Sequence, residues 1–280
     1  SVGGGIPIIR PLCQCLAANY IEGIAGILNG TTNFILTMMI EEGMSFEEAL
    51  KIAQEKGYAE KDPTADVEGH DACRKVCILA SLAFGKHVYP NQVETEGITN
   101  ISLEDVSYIE NAGGVIKLLG QIKYINDNEI AAFVSPAVVY NGSQLASVKD
   151  VFNAILVRGD AVGDVCFYGP GAGKLPTASA VVADIIDCAK HSDRKKIFGW
   201  GEGSENYVVD YKEKIEMPFY VRAKATPNEV NSKFADVKFL SRKGQPSDEV
   251  AFITDYMTEN ELNKKLDGMN VINTIKVTNY

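Results

Sequence analysis

The sequence predicts an α+β protein in which a mostly antiparallel sheet is covered by helices. Three observations lead there. The first 120 residues are dense in helix start and stop signals, and residues 121–170 run in short apolar stretches broken by Asn, Asp and Gly. The residues after 215 return to strand-like runs around one helix. A chain of 280 residues, 46% hydrophobic and 23% charged, has ample material for a core.

Ser45 followed by Glu48 makes a capping box, FEEALKIAQEK carries helix formers, and Gly57 supplies the stop. Asp62-Pro63 offers a cap and a first-turn proline for a second helix near 64–84, with Gly69 disturbing its early turns. From Ala72 to Phe84 that helix is apolar nearly all round, which makes it internal. A third helix starts at Ser102, with Asp105 completing its box, and is expected to end near Gly120.

QIKYI, NDN and EIAAFVSPAVVY then read as strand, turn and strand, with Pro136 predicting an edge or a bulge. VFNAILVRGDAVGDVCFYG gives two more strands around Gly159-Asp160, and TASAVVADIIDCAK a helix. Residues 191–215 are polar and read as a linker. In 216–280, FYVRAKA, VKFLSRKG and EVAFITDYM read as strands, Thr258 with Glu261 caps a helix ending near Gly268, and VINTIKVTNY closes the series. The expected order is β-β-β-α-β, with no helix in TPNEVNSKFAD.

A net charge of −10 argues against nucleic acid or an anionic membrane as partner. No apolar run approaches the roughly 20 residues needed to span a bilayer, and SVGGGIPIIRPL does not read as a signal peptide. The expectation is a cytoplasmic chain with six free cysteines. None forms CxxC, Cys73 and Cys77 read as core packing, and three histidines are poor material for zinc.

One segment, GYAEKDPTADVEGHDACRKV (57–76), is rich in carboxylates yet runs straight into the apolar ILASLAF. Asp71 and Lys75 are four apart and share a helix face that continues through Ile78, Leu79 and Leu82; Glu60 enters from the preceding loop. The ordinary reading is an i,i+4 pair worth a few tenths of a kcal/mol. The chemical reading gives two carboxylates to a substrate ammonium and a lysine that polarises a carbonyl or delivers a proton. GILNGTTNFIL places Asn29, Gly30, Thr31 and Thr32 at a loop-to-helix transition, fit for an anion or for a plain N-cap. VGGGIP and GPGAG mark backbone that bends tightly or approaches something closely; GPGAG could also cradle a phosphate.

In this order, VGGGIPIIRPL, GILNGTTNFIL, GYAEKDPTADVEGHDACRK and FYGPGAGKLPTASAVVADI resemble the homoserine dehydrogenases over about the first 190 residues. The resemblance implies NAD(P)-linked interconversion of L-homoserine and L-aspartate 4-semialdehyde, on the route to threonine, methionine and isoleucine. By the same resemblance Lys75 is the catalytic proton donor to the aldehyde oxygen. Glu60, Asp71, Gly57 and Thr31 bind substrate, and Gly169, Gly171 and Gly173 contact the cofactor. Backbone carbonyls of Val2, Gly4 and Ile6 help hold a monovalent cation, Na+ or K+, and the protein pairs as a homodimer.

The family's Rossmann half, with its GxGxxG, is not in this sequence, so the chain is read as a C-terminal fragment, inactive alone. Residues 1–190 form the catalytic and substrate-binding domain, with 169–190 returning toward the nucleotide-binding half. The tail, 216–280, resembles an ACT domain, a small α/β sandwich of usual order βαββαβ, with its first helix expected to be lost. The competing reading is a catalytically inactive amino-acid sensor on the same site. Retention of Lys75 favours the enzyme, since holding an ammonium needs the carboxylates and not that lysine.

Overall fold

The computed structural model describes residues 1–193 and 199–280. The chain opens with a glycine turn and a short π-helical turn at Pro11–Cys15. Strand β1 (Ile21–Ile27) leads into helix α1 (Gly30–Glu41), followed by α2 (Phe46–Glu55), α3 (Thr64–Val67) and α4 (His70–Phe84). Then come the two-residue strand β2 (Glu94–Thr95), α5 (Leu103–Asn111), and strands β3 (Gly114–Asn126), β4 (Glu129–Tyr140), β5 (Phe152–Gly159) and β6 (Gly163–Pro170). Helix α6 spans Lys174–Lys190 and α7 Tyr211–Lys214. The remainder is β7 (Phe219–Lys224), α8 (Pro227–Lys233), β8 (Val237–Leu240), β9 (Glu249–Thr254), α9 (Glu259–Leu266) and β10 (Asn270–Val277).

The described strands join in one sheet of order β6-β5-β1-β3-β4-β10-β7-β9-β8, with β2 on β4. All neighbours along that order are antiparallel except β4 and β10, which run parallel, as do β2 and β4. On one face lie α1 to α5. Ala72, Val76, Leu79 and Ala80 of α4 pack with Ile116, Leu118 and Ile122 of β3 in the largest core cluster. On the other face, Ala131 and Phe133 of β4 pack with Tyr211, Val230 and Leu262 of α7, α8 and α9.

Four expectations are corrected. The third helix ends at Asn111, not near Gly120, and 114–126 is strand. Gly113, at φ 82°, turns the chain. The following VIKLLGQI is buried on both faces, so it carries no polar/apolar alternation to announce a strand. The second helix is two pieces, because Gly69 adopts φ 79° between Val67 and His70. TPNEVNSKFAD does form a helix: Thr226 and Glu229 make a capping box and Pro227 takes the first turn. The C-terminal order is therefore β-α-β-β-α-β, and its first helix is not lost.

Pro136 is the fourth. It sits in an interior strand, paired in register with Leu118 of β3, and marks neither an edge strand nor a bulge. On its other side β4 pairs with β2 at Phe133 and Val134 and with β10 from Ala137. The proline occupies the changeover between those partners, where no N–H is required.

Of the segment expected as a linker, residues 194–198 lie outside the described residues. The rest lies against the body of the protein: the Ile130 N–H donates to the Tyr207 carbonyl at 3.0 Å, and Tyr207 is buried. Helix α5 meets the C-terminal strands through buried charge. Asp105, fully buried, accepts from Tyr220 and Asn273 and lies 2.9 Å from Arg222 Nε, although that N–H is not aimed along the contact. Glu249 accepts from Tyr108 and Arg242 at 2.9 Å each.

Candidate active site

The site gathers where β1 ends. Past Ile27, the Leu28 carbonyl and the Asn29 side chain emerge at the foot of α1. Asn29 is the N-cap, its Oδ1 accepting from the Thr32 N–H at 2.9 Å. Its Nδ2 points the other way and donates to Asp66 Oδ1 at 2.7 Å and to Asp71 Oδ2 at 3.0 Å. Lys75 Nζ donates to the same Asp71 oxygen at 2.6 Å and to the Leu28 carbonyl at 2.7 Å. The Lys75 side chain keeps 21% of its surface open and Asp71 33%. An ordinary surface pair has no such fixed acceptor beyond its partner, so Lys75 is aimed rather than merely solvated.

The loop after α2 closes over the first turn of α1. Gly57, at φ 74°, ends the helix, and Thr31 donates its hydroxyl to the Tyr58 carbonyl at 2.7 Å. Thr31 is buried and therefore holds the loop with its proton. Phe34 meets the Tyr58 ring edge-on at 5.1 Å. Glu60 follows on this loop, exposed, and its carboxylate has no hydrogen-bond or ion-pair partner among the described residues; its backbone carbonyl accepts from Gln54.

The two glycine runs meet. A Cβ on Gly4 would lie 2.0 Å from the Gly171 carbonyl oxygen, and one on Gly171 would lie 2.3 Å from the Asn153 amide, so neither position admits a side chain. The Gly5 N–H donates to the Pro170 carbonyl at 3.2 Å, and the Ile6 carbonyl accepts from Ile8. Asn153 is 1% exposed, and its Oδ1 has no partner among the described residues. Ala154, next to Asn153, pairs with Ile27 of β1, which puts this crossing one strand from Leu28. Gly169 belongs to β6, and Gly173 is the N-cap of α6, whose first turn has no side-chain cap.

The structure thus brings Asp71 to Lys75, seats Thr31 and Gly57 on the adjoining loop, and sets Gly4 against Gly171. It does not join Glu60 to the Asp71–Lys75 pair. Sequence reasoning missed Asp66 and the bridging role of Asn29. The signal for Asp66 lay in the charged segment itself, five residues before Asp71, with Gly69 between them to fold it back.

Lys117 was missed as well. It is 2% exposed, and its ammonium donates to Asn33 Oδ1 at 3.1 Å and to the Val148 carbonyl at 2.5 Å. Asn33 Nδ2 reaches the carbonyls of Val148, Asp150 and Phe152. The first turn of α1 is thereby fastened to the loop ahead of β5. Burial pushes the lysine down to about 8, and nearby Lys149 adds to it.

Among the described residues, no group of three or more His, Cys, Asp or Glu is placed to hold a metal ion. No helix among them is long and apolar enough to cross a membrane.

Residues 7–186 match the family model for homoserine dehydrogenase. Curated relatives include the homoserine dehydrogenase of Synechocystis sp., 51% identical over 190 residues that cover 67% of this chain and 44% of the relative. That of Helicobacter pylori is 44% identical over 222 residues, covering 79% and 52%. The chain therefore spans about half the length of the curated relatives it matches. Among solved structures, a homoserine dehydrogenase from Thiobacillus denitrificans superposes with a TM-score of 0.86 at 35% identity, covering 99% of this chain and 68% of that one. A hyperthermophilic archaeal homoserine dehydrogenase mutant in complex with NADPH superposes at 0.56, with 31% identity, over 68% of this chain and 54% of its own. The family match spans Asn29, Asp71 and Lys75 and the Gly171 side of the glycine crossing, and by it this chain belongs to the homoserine dehydrogenase family.

Proposed function

We propose that the chain carries the substrate site of an NAD(P)-dependent homoserine dehydrogenase acting between L-homoserine and L-aspartate 4-semialdehyde. The observation that carries the reading is the aim of Lys75, fixed between Asp71 and the Leu28 carbonyl. Reduction of the aldehyde builds charge on its oxygen, and a positioned ammonium stabilises that charge and supplies the proton. In the reverse direction the same nitrogen takes the proton from the alcohol. Asp71 holds the Lys75 ammonium in place through their 2.6 Å charge-assisted hydrogen bond. Glu60, free of any partner among the described residues, is the carboxylate available to the substrate ammonium, and Asp66 lies one hydrogen bond behind through Asn29.

The nicotinamide, when bound, supplies or accepts the hydride. Gly169, Gly171 and Gly173 would face it with bare backbone, and the uncapped first turn of α6 offers N–H groups to a phosphate. The carbonyls of Val2, Gly4 and Ile6 would hold a monovalent cation, and the unpaired Asn153 Oδ1 beside Gly171 fits an all-oxygen site. Helix α6 has no buried residue, and Leu175, Val181, Val182, Ile185 and Ile186 are each about half exposed or more. That stripe supports docking of a nucleotide-binding half in the full protein. The β-α-β-β-α-β tail supports an ACT-like unit, and pairing of two copies across the sheet is the proposed assembly.

In the full-length protein, Lys75→Ala should lower kcat by about 100-fold or more with cofactor saturating. A kcat equal to wild type would defeat the assignment.

A further inference from the structure

We infer that Gln54 is a positioning residue for substrate binding: its side-chain amide sets where Glu60 stands and, given the substrate role proposed above for Glu60, how tightly homoserine is held.

Gln54 lies half-buried in the last turn of α2. Its backbone carbonyl accepts from the Gly57 N–H at 3.0 Å, where the chain turns out of the helix. The Tyr58 and Ala59 N–H groups then both donate to the Ala53 carbonyl, at 2.8 and 3.2 Å. From the side of α1, the Thr31 hydroxyl holds the Tyr58 carbonyl. This pinning stops at Ala59, which is buried, and Glu60, Lys61 and Asp62 follow in solvent. Among the described residues, the Gln54 amide is the one hydrogen-bond partner of the backbone at Glu60 and Lys61. Its Nε2 donates to the Glu60 carbonyl at 3.0 Å and to the Lys61 carbonyl at 3.4 Å.

A glutamine near the end of a helix ordinarily points to water. Here both amide hydrogens reach six and seven residues ahead, to the carbonyls of two successive residues. Two acceptors on one planar NH2 group fix the direction of the chain at Glu60 as well as its distance from α2. The carboxylate of Glu60 has no hydrogen-bond or ion-pair partner among the described residues, so its root is held while its tip is open to a ligand. Ordering that root before the substrate arrives removes part of the entropic cost of binding. The other two acids of the site are held from different elements, Asp66 by Asn29 and Asp71 by Asn29 and Lys75. Gln54 therefore acts on Glu60 alone.

The test is kinetic, on the full-length protein, with Gln54→Met, which keeps the length of the side chain and removes both donors. The KM for homoserine should rise by about threefold or more, the net contribution of one hydrogen bond expressed as an equilibrium constant. The kcat and the KM for NADPH should stay unchanged. Loss of folded protein would instead lower kcat at a normal KM, and that outcome overturns the inference. In the double variant with Glu60→Gln, the KM should be no higher than in Glu60→Gln alone, because the amide has no charge left to position. A further rise in the double variant would give Gln54 a role apart from Glu60 and overturn the inference. A normal KM in Gln54→Met beside a raised one in Glu60→Gln overturns it too, and leaves the role of Glu60 standing. A normal KM in Glu60→Gln itself removes that role, and the positioning role of Gln54 with it.

Discussion

Asn29 donates to Asp71 at 3.0 Å on the very oxygen that pairs with Lys75, so one amide couples the α1 cap to the proposed proton donor. Asn29→Ala should therefore do two things. Loss of the cap should lower stability by about 1 kcal/mol, read by urea denaturation. Asp66 and Asp71 would also lose their shared donor, and kcat should fall. Asn29→Ser, which restores a cap but cannot reach both carboxylates, should recover stability without recovering kcat.

The carboxylates should separate kinetically. Glu60→Gln removes a charge from an ammonium-binding position occupied in both ground and transition states, so it should raise the KM for homoserine with little change in kcat. Asp71→Asn should change both parameters, since Asp71 also holds Lys75. A Glu60→Gln variant with reduced kcat and normal KM would show that this residue acts on the chemical step instead.

Lys117 should impose a pH signature on stability. Its folded value, about 8, lies below the ordinary lysine value of 10.5. Between these two values the unfolded chain holds a proton that the folded chain has released, so the contribution of this group to stability rises with pH across the window. Relative to Lys117→Met, wild type should gain up to about 3 kcal/mol between pH 8 and 10.5. Parallel stability–pH curves for the two proteins would contradict this.

The charged junction between α5 and the C-terminal strands is predicted to be costly to break. Asp105→Ala would leave Arg222, Tyr220 and Asn273 facing a buried gap. The expected loss is about 3–5 kcal/mol by chemical denaturation. Replacement of the exposed Glu110 by alanine is the control, expected to stay within about 0.5 kcal/mol.

The α6 stripe gives a last test. Val182→Glu with Ile186→Lys should make this chain more soluble on its own. The same pair in the full-length protein should weaken cofactor binding, measured as a raised KM for NADPH, if the stripe docks the nucleotide half.

Much of this was legible before the structure. The Ser45 and Ser102 capping boxes, the Thr258 cap and the Asp71–Lys75 spacing are local devices, written in neighbouring residues and found in place. What escaped depends on distant partners. The first residues of β3 are hidden because both faces of the strand are buried. Lys117 reads as an ordinary surface lysine until Asn33 and Val148, 84 and 31 residues away, are seen around it. Asp66 looked like one acid among several, because only the turn at Gly69 brings it back to Asn29.

The insertion of β10 between β4 and β7 bears on the order of folding. Strands β7, β9 and β8 have no path of pairing to β1, β3 and β4 except through it. The hairpins β3–β4 and β5–β6 can close early from nearby residues, but the two halves cannot zip into one sheet until Asn270–Val277 has emerged and threaded the gap. That late, long-range closure should be the slow step in refolding. Until it occurs, the half of the β4 edge beyond Pro136 stands open to strands from other chains, the interval in which aggregation competes with folding.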